Sequence, residues 1–587
     1  MDMNHLPGSN VSHTCILVNQ KCIPHRNAAG KTGRATFHPH GSVARKPAMT
    51  VSQPYDFLVY RATPAGIVAA ITAARLKLRT LLVEPSGRVG GMMTSGLNAA
   101  DTLNSGLITG VPLEFFRAVR DEYAMPHLPV RIESRMALKV FRAMLARSGV
   151  ELALHCDIGG IRREGPRLAE CRLSDGRQVS SRWWVDASYE GDLMHLAGIR
   201  HRLGRESASE FAESLAGRQP FGPLLPWQPK AAIDPRQDGR PLPYVLPWSP
   251  PAEPGTGDDR LQSYCIRPTL TNRPENRLPI TAPEDFDFRN FALFRRLGLL
   301  IRAGRITSKA IPMQGMTFQS AYFKLNELPN GKFDMNSGPA APLNNPALTQ
   351  EWVNASMERR KALTQDFARY TQALLHFIQN DESVPVRLRR FFGQFGLPAD
   401  EYADSGHLPP EVYVREGRRL VGAHVFRQQD IEGGGVDPAD AICIGKYHLD
   451  CKPVRWQVNR TGTNVLREGM FFSHSAHRYA LPGWIILAHP DDCRNFFSVC
   501  GVSASHVAFS SIRMEPTWME LGAAAAMMAH LADRHGVPAH EIRGRSVVEL
   551  RQARFRQWPS ATFIRARLRR KIAGYRRKLP GQGKTAG

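Results

Sequence analysis

Residues 55–84 read YDFLVYRATPAGIVAAITAARLKLRTLLVE, and this stretch decides the fold. Tyr55 to Tyr60 is an apolar run of strand length. The turn Arg61-Ala62-Thr63-Pro64 ends it. Ala65 to Leu76 is rich in small residues and reads as a helix, and Arg79 to Glu84 is a second buried strand. Strand, turn, helix and strand within about 30 residues make a βαβ unit, which opens an α/β domain.

That unit carries the logic of dinucleotide binding. A helix N-terminus aimed at a phosphate offers free N–H groups and the positive end of its dipole. Glu84, ending the second strand, can accept both hydroxyls of an adenosine ribose. It lies 23 residues after Arg61, near the ~20 such a unit leads one to expect. Gly87, Gly90, Gly91 and Gly96 follow, and a Gly-Gly pair lets backbone approach a pyrophosphate closely.

Outward from there, Met136 to Ser148 is predicted helical, and alternating short strands run to Trp183-Trp184-Val185-Asp186. Eleven prolines in residues 220–254 exclude a helix or a central strand and predict a long surface excursion. Val353, Met357, Leu363, Phe367, Tyr370, Leu374 and Phe377 recur at helical spacing, so a mostly helical insert is expected over 280–420. Residues 497–532 return to strand and then helix.

The 587 residues carry 77 Lys and Arg against 53 Asp and Glu, a net charge of +24 that taken whole suggests a nucleic-acid binder. Its distribution argues otherwise. Residues 551–587 hold twelve basic residues and no acid, residues 1–50 hold six against one, and the remaining body is left at only +7. The basic tail implies at most a weak polyanion contact. No window reaches the ~18 uncharged apolar residues of a membrane span. The nine cysteines form no CxxC pair, and no Cys or carboxylate at ligand spacing accompanies His474 and His477 in the sequence, so no metal is expected and the cytoplasm is the expected compartment.

VEPSGRVGGMMTSGL (83–97), VDASYEGDLMHLAG (185–198), YVREGRRLVG (413–422) and SVCGVSASHVAFSSIRMEPTWMELG (498–522) resemble, in order, signatures of the FAD-dependent oxidoreductases of the glutathione-reductase-like superfamily. YTQALLHFIQND (370–381) also fits, and the resemblance covers about 55–553. It implies a Rossmann-like FAD-binding domain interrupted by a substrate domain with a helical insert. The expected division is a leader over 1–50, an FAD-binding part over 51–200, a substrate or cap domain over 201–440, a return to the FAD-binding domain over 441–553, and a basic tail over 554–587.

The resemblance places Thr63, Ala65, Gly66, Glu84, Gly90, Gly91, Asp186, Ala187, Gly501, Ser503 and Ser505 at the cofactor, with Pro516 opening a helix whose end faces the flavin. His506 is the candidate proton acceptor and Arg513 the candidate holder of an anionic or polyol substrate. Arg415 and Glu416 are expected to form a buried ion pair. The expected activity is hydride transfer from a small organic substrate, a polyol, sugar-like molecule or acid, to a non-covalent flavin, with the electron acceptor left open. The chain departs from the family's GGTPAG-type turn at its first position, which is Arg61. It also carries Gly522-Ala523-Ala524-Ala525-Ala526 one turn into the last helix, and Gly483-Trp484 where relatives tend to show Tyr-Arg. The runner-up reading is therefore a relative of the same fold with impaired flavin binding, acting as a binding or scaffold protein.

Overall fold

Phe57, Leu58 and Val59 are apolar in succession and all are fully buried, as a strand covered on both faces requires. In the computed structural model they form β1 (Tyr55–Tyr60), followed by α1 (Pro64–Arg75) and β2 (Thr80–Glu84). The structure describes residues 53–101, 105–224, 232–250, 253–306, 311–313, 317–473 and 477–555. The leader, most of the basic tail and part of the proline-rich excursion lie outside them.

The predicted helix near 136–148 is α2 (Ser134–Ala146), and β3 (Glu151–Leu154) follows it. A meander of β4 (Ile158–Glu164), β5 (Arg167–Leu173) and the long β6 (Gln178–Asp186) comes next. The sheet runs in the order β3, β2, β1, β6, with these strands parallel, while β5 and β4 pair antiparallel beyond β6. Tyr60 stands opposite both Val83 and Asp186, so the carboxyl ends of β1, β2 and β6 share one edge. Ligands of open α/β sheets bind at such an edge.

The segment read as a mostly helical insert is mixed. It contains α3 (Ala292–Arg302) and α4 (Met357–Asn380), and Leu363, Phe367, Tyr370, Leu374 and Phe377 of α4 are all buried as the spacing predicts. It also contains an antiparallel sheet: β7 (Thr269–Thr271), β8 (Ile311–Met313), β9 (Thr317–Gln319), β10 (Phe323–Leu328) and β11 (Lys332–Ser337), ordered β7, β11, β10, β9, β8. The reason is local: FKLNEL and KFDMNS flank Pro329-Asn330-Gly331, two alternating runs around a turn where Asn330 adopts φ +60°.

The chain then supplies β12 (Leu449–Cys451), β13 (Phe496–Ser498), α5 (His506–Ile512) and α6 (Glu515–His535). β13 joins the first sheet parallel to β6, with Ser498 beside Asp186. Helix α6 lies against α1: a Cβ on Gly522 would stand 2.3 Å from the Ala65 carbonyl oxygen, so glycine is what permits this approach. No helix among the described residues is long and apolar enough to cross a membrane.

Candidate active site

The β1–α1 turn keeps the geometry of a nucleotide-binding turn although its first position is Arg61. Arg61 adopts φ +76°, the left-handed region that glycine enters freely and a side chain enters at a cost. A Cβ on Gly66 would stand 2.1 Å from the Arg61 carbonyl oxygen and 3.0 Å from the Ala187 Cβ. The third glycine therefore sets the close approach of helix to strand, the role expected of it. Thr63 caps α1 by accepting from Gly66 N–H at 3.2 Å and donates its own hydroxyl to the Ala187 carbonyl at 2.9 Å. Ala65 is buried in the first turn.

Glu84 ends β2 beside this turn with its carboxylate buried. Oε2 accepts from Ala62 N–H at 2.8 Å, and Oε1 accepts from Ser86 N–H at 2.9 Å and from Arg61 Nη1 at 3.0 Å. Gly90 adopts φ +97° and donates its N–H to the Ala62 carbonyl, binding the glycine loop to the turn. Gly91 adopts φ +46°, and a Cβ there would stand 2.4 Å from the Tyr189 hydroxyl. Thr63, Ala65, Gly66, Glu84, Gly90, Gly91 and Ala187 thus gather at one edge of the sheet. The N–H groups opening α1 and the Glu84 carboxylate are the donors and acceptor that the phosphates and ribose of a dinucleotide take at such an edge, while Gly66 and Gly91 are required by the Arg61 carbonyl and the Tyr189 hydroxyl packed against them. The Arg61 guanidinium sits on Glu84 and has to move for a ribose to take that carboxylate.

The other expected cofactor residues have structural partners. Asp186 accepts from Ser188 N–H and Oγ and from Met194 N–H, which holds the turn after β6, and burial raises its pKa to about 6. A Cβ on Gly501 would stand 2.5 Å from the Arg418 carbonyl oxygen. Ser503 donates to the His424 carbonyl at 2.6 Å, and Ser505 donates to Glu213 and caps α5 at Ala508 N–H.

His506 differs from its expected role as proton acceptor. It is 1% exposed, its Nδ1 lies 2.8 Å from Glu416 Oε2, and its Nε2 lies 3.6 Å from Cys451 Sγ. Burial alone would depress its pKa, but the Glu416 carboxylate and the Cys451 thiol outweigh burial and lift it to about 10. An imidazole already protonated at neutral pH has no lone pair to offer. Burial likewise works against the Glu416 carboxylate, but His506 and Arg419 override it and hold the group at about 2. The expected Arg415–Glu416 pair does not form: Glu416 pairs with His506 and Arg419, while Arg415 packs over the Tyr413 ring. Neighbours in an extended segment point to opposite sides.

Arg513, at the end of α5, sits in a polar cluster that the sequence pattern did not mark. Its Nη1 donates to the Tyr413 hydroxyl at 3.0 Å and its Nη2 to the Asp450 carbonyl at 2.9 Å. Tyr447 donates to Asp101 Oδ2 at 3.3 Å, and burial raises the Asp101 pKa against the pull of Arg267 and Arg513. These residues come from five distant segments, so no spacing rule joins them. At the start of α6, Pro516 lies in the first turn, and Glu515 accepts from the Tyr189 hydroxyl at 2.6 Å. Burial lifts Glu515 to about 8, leaving it neutral at pH 7, so it does not oppose the positive end of that helix. No group of three His, Cys, Asp or Glu able to hold a metal occurs among the described residues, and the seven described cysteines are buried and unpaired.

A sequence model of the family described as FAD dependent oxidoreductase matches residues 56–553. No curated protein matches the chain. Similar solved structures include THI4 of Thermovibrio ammonificans, at 17% identity and a TM-score of 0.20 over 26% of this chain and 66% of that one. NikD, described as an unusual amino acid oxidase essential for nikkomycin biosynthesis, is 13% identical with a TM-score of 0.20 over 27% and 57%. Thioredoxin reductase of T. acidophilum is 16% identical with a TM-score of 0.17 over 27% and 41%. The chain spans two thirds or less of their lengths, and at these scores the likeness carries no argument.

Proposed function

The chain belongs to the FAD dependent oxidoreductase family, and from that premise we propose that it binds one FAD non-covalently at the shared edge of β1, β2 and β6 and oxidises a small organic substrate by hydride transfer. The dinucleotide part is 51–200 with 441–553, and the substrate part is 201–440. The chemistry the cofactor supplies is acceptance of a hydride at its flavin ring.

The chain's own residues bind and orient. Glu84 takes the ribose hydroxyls once Arg61 has swung aside. Gly90 and Gly91 give backbone access to the pyrophosphate, and the first turn of α1 turns its N–H groups toward it. The start of α6, with Glu515 kept neutral, stabilises negative charge near the flavin. Arg513 anchors the substrate, and Asp101, whose Oδ2 accepts from Tyr447, takes the proton role in place of His506.

The observation that carries this reading is the turn: Gly66 holds the start of α1 against the end of β1, Gly522 holds α6 against α1, and Glu84 stands beside the turn. The test is the visible spectrum of the purified chain after reconstitution with excess FAD. Retained flavin bands are expected, and a colourless protein overturns the reading. The Arg61–Glu84 pair favours the second reading, a scaffold of the same fold without flavin, which predicts that colourless result.

A further inference from the structure

Arg415 is 1% exposed and has no carboxylate within ion-pair distance among the described residues. Its Nη1 donates to the Ser263 carbonyl at 2.6 Å, its Nη2 meets Cys265 Sγ at 3.5 Å, and its guanidinium lies 4.2 Å from the Tyr413 ring centre. A guanidinium stays charged even when buried, so one without a counter-ion is a costly thing for a fold to keep.

Its surroundings do not supply the missing charge. Arg513, 4% exposed, binds the same Tyr413 through its hydroxyl and faces Asp450 at 3.5 Å, but Asp450 is also held by Lys452 at 3.0 Å. Arg267, whose guanidinium is 5.8 Å from the Tyr413 ring, is matched by Asp334. Lys324 makes no ion pair with a carboxylate among the described residues, although Asp101 and Asp334 act on it from farther off. Arg267, Lys324, Arg415, Lys452 and Arg513 therefore stand against Asp101, Asp334 and Asp450. The Nε donors of Arg267, Arg415 and Arg513 are buried and bonded to nothing. Asp101, Lys324, Tyr447 and Lys452 are only half-buried, so the cluster is reached from solvent on that side.

We propose that the substrate of the site assigned above is a small carboxylate, held as an ion pair by Arg415 and Arg513 across Tyr413; the inference rests on that assignment. A planar two-oxygen acceptor suits guanidinium edges that each present one open N–H.

The test uses the full-length chain reconstituted with FAD, titrated with acetate, oxalate and benzoate against acetamide, benzamide and inorganic phosphate. Readouts are the flavin difference spectrum and the thermal midpoint. Saturable spectral changes and a raised midpoint are expected with the carboxylates and not with the amides. Arg415→Met is expected to weaken carboxylate binding at least tenfold, while its ligand-free midpoint equals or exceeds the parent's because an unmatched buried charge has gone. Arg415→Lys is expected to restore part of the affinity. Equal response to amides, response to phosphate alone, or an Arg415→Met chain that melts lower yet binds carboxylates as before overturns the proposal. If the chain takes up no flavin, the oxidoreductase reading fails on that result, and the thermal shifts of the flavin-free chain with the same probes still decide the carboxylate site.

Discussion

Replacing Arg61 by glycine tests the least family-like feature of the nucleotide site. Arg61 holds φ +76°, which costs a side chain about 1 kcal/mol. Its Nη1 sits 3.0 Å from Glu84 Oε1 with the arginine side chain 15% exposed, a charge-assisted bond worth about 1–2 kcal/mol net. A ribose that takes Glu84 has to displace that bond. The parent chain therefore binds FAD roughly 5- to 30-fold more weakly than the same cradle without the guanidinium. Arg61→Gly is expected to tighten FAD binding by that factor, measured by quenching of flavin fluorescence as the apoprotein is titrated. Its thermal midpoint should change little, since relief of the backbone offsets the lost pair and the added glycine freedom. Arg61→Ala, which loses the pair and keeps the strained φ, should gain the same affinity and melt lower than Arg61→Gly. Unchanged or weaker FAD binding by Arg61→Gly would refute the reasoning and make the guanidinium part of the phosphate grip.

Gly522→Ala pushes a Cβ to 2.3 Å from the Ala65 carbonyl oxygen, so α6 has to move from α1. A loss of about 1–3 kcal/mol in denaturant unfolding, with weaker FAD retention, is the expected result. The His506–Glu416 pair sets a pH window. His506 is raised to about 10, so its contribution is complete below its unfolded value of about 6.5 and disappears as pH rises through 10; Glu416, held at about 2, contributes above about 4.3 and loses this as pH falls through 2. The thermal midpoint should therefore fall between pH 7 and pH 10, and Glu416→Gln should flatten that fall while lowering the midpoint at pH 6. Glu515, raised to about 8 by burial, favours the folded state fully below its unfolded value of about 4.3 and loses this as pH rises through 8. Glu515→Gln should accordingly leave the midpoint near the parent's at pH 4 and raise it at pH 9. A parallel pair of melting curves across both pH values would show the residue ionised throughout.

Much of the nucleotide edge was legible because it is local. A run of buried apolar residues, a turn, small residues along a helix and an acid closing the next strand lie within thirty positions, and strand and helix periods are set by neighbours a few residues apart. The mixed character of 280–420 is written in the alternation around Asn330-Gly331, but those two short runs give a weaker pattern than the helical period that α4 sustains over 24 residues. The polar cluster around Arg513 was not legible: Asp101, Arg267, Tyr413, Tyr447 and Asp450 come together only through the packing of loops and strands far apart in the chain.

By itself, then, the amino-acid sequence determined the βαβ unit, the order of the family-like segments and the location of the excess charge at the two ends. It also marked Arg61 as the odd residue in its turn, and the positive φ there gives the reason glycine was expected. Only the tertiary structure decided which charges are matched. It gave Glu416 to His506 and Arg419, and it left Arg415 buried over Tyr413 with no carboxylate at ion-pair distance among the described residues. Spacing along a chain fixes which side of an element a group lies on. Its pKa and its partners depend on what other elements bring within a few ångströms, where burial strips away the water that would otherwise screen every charge.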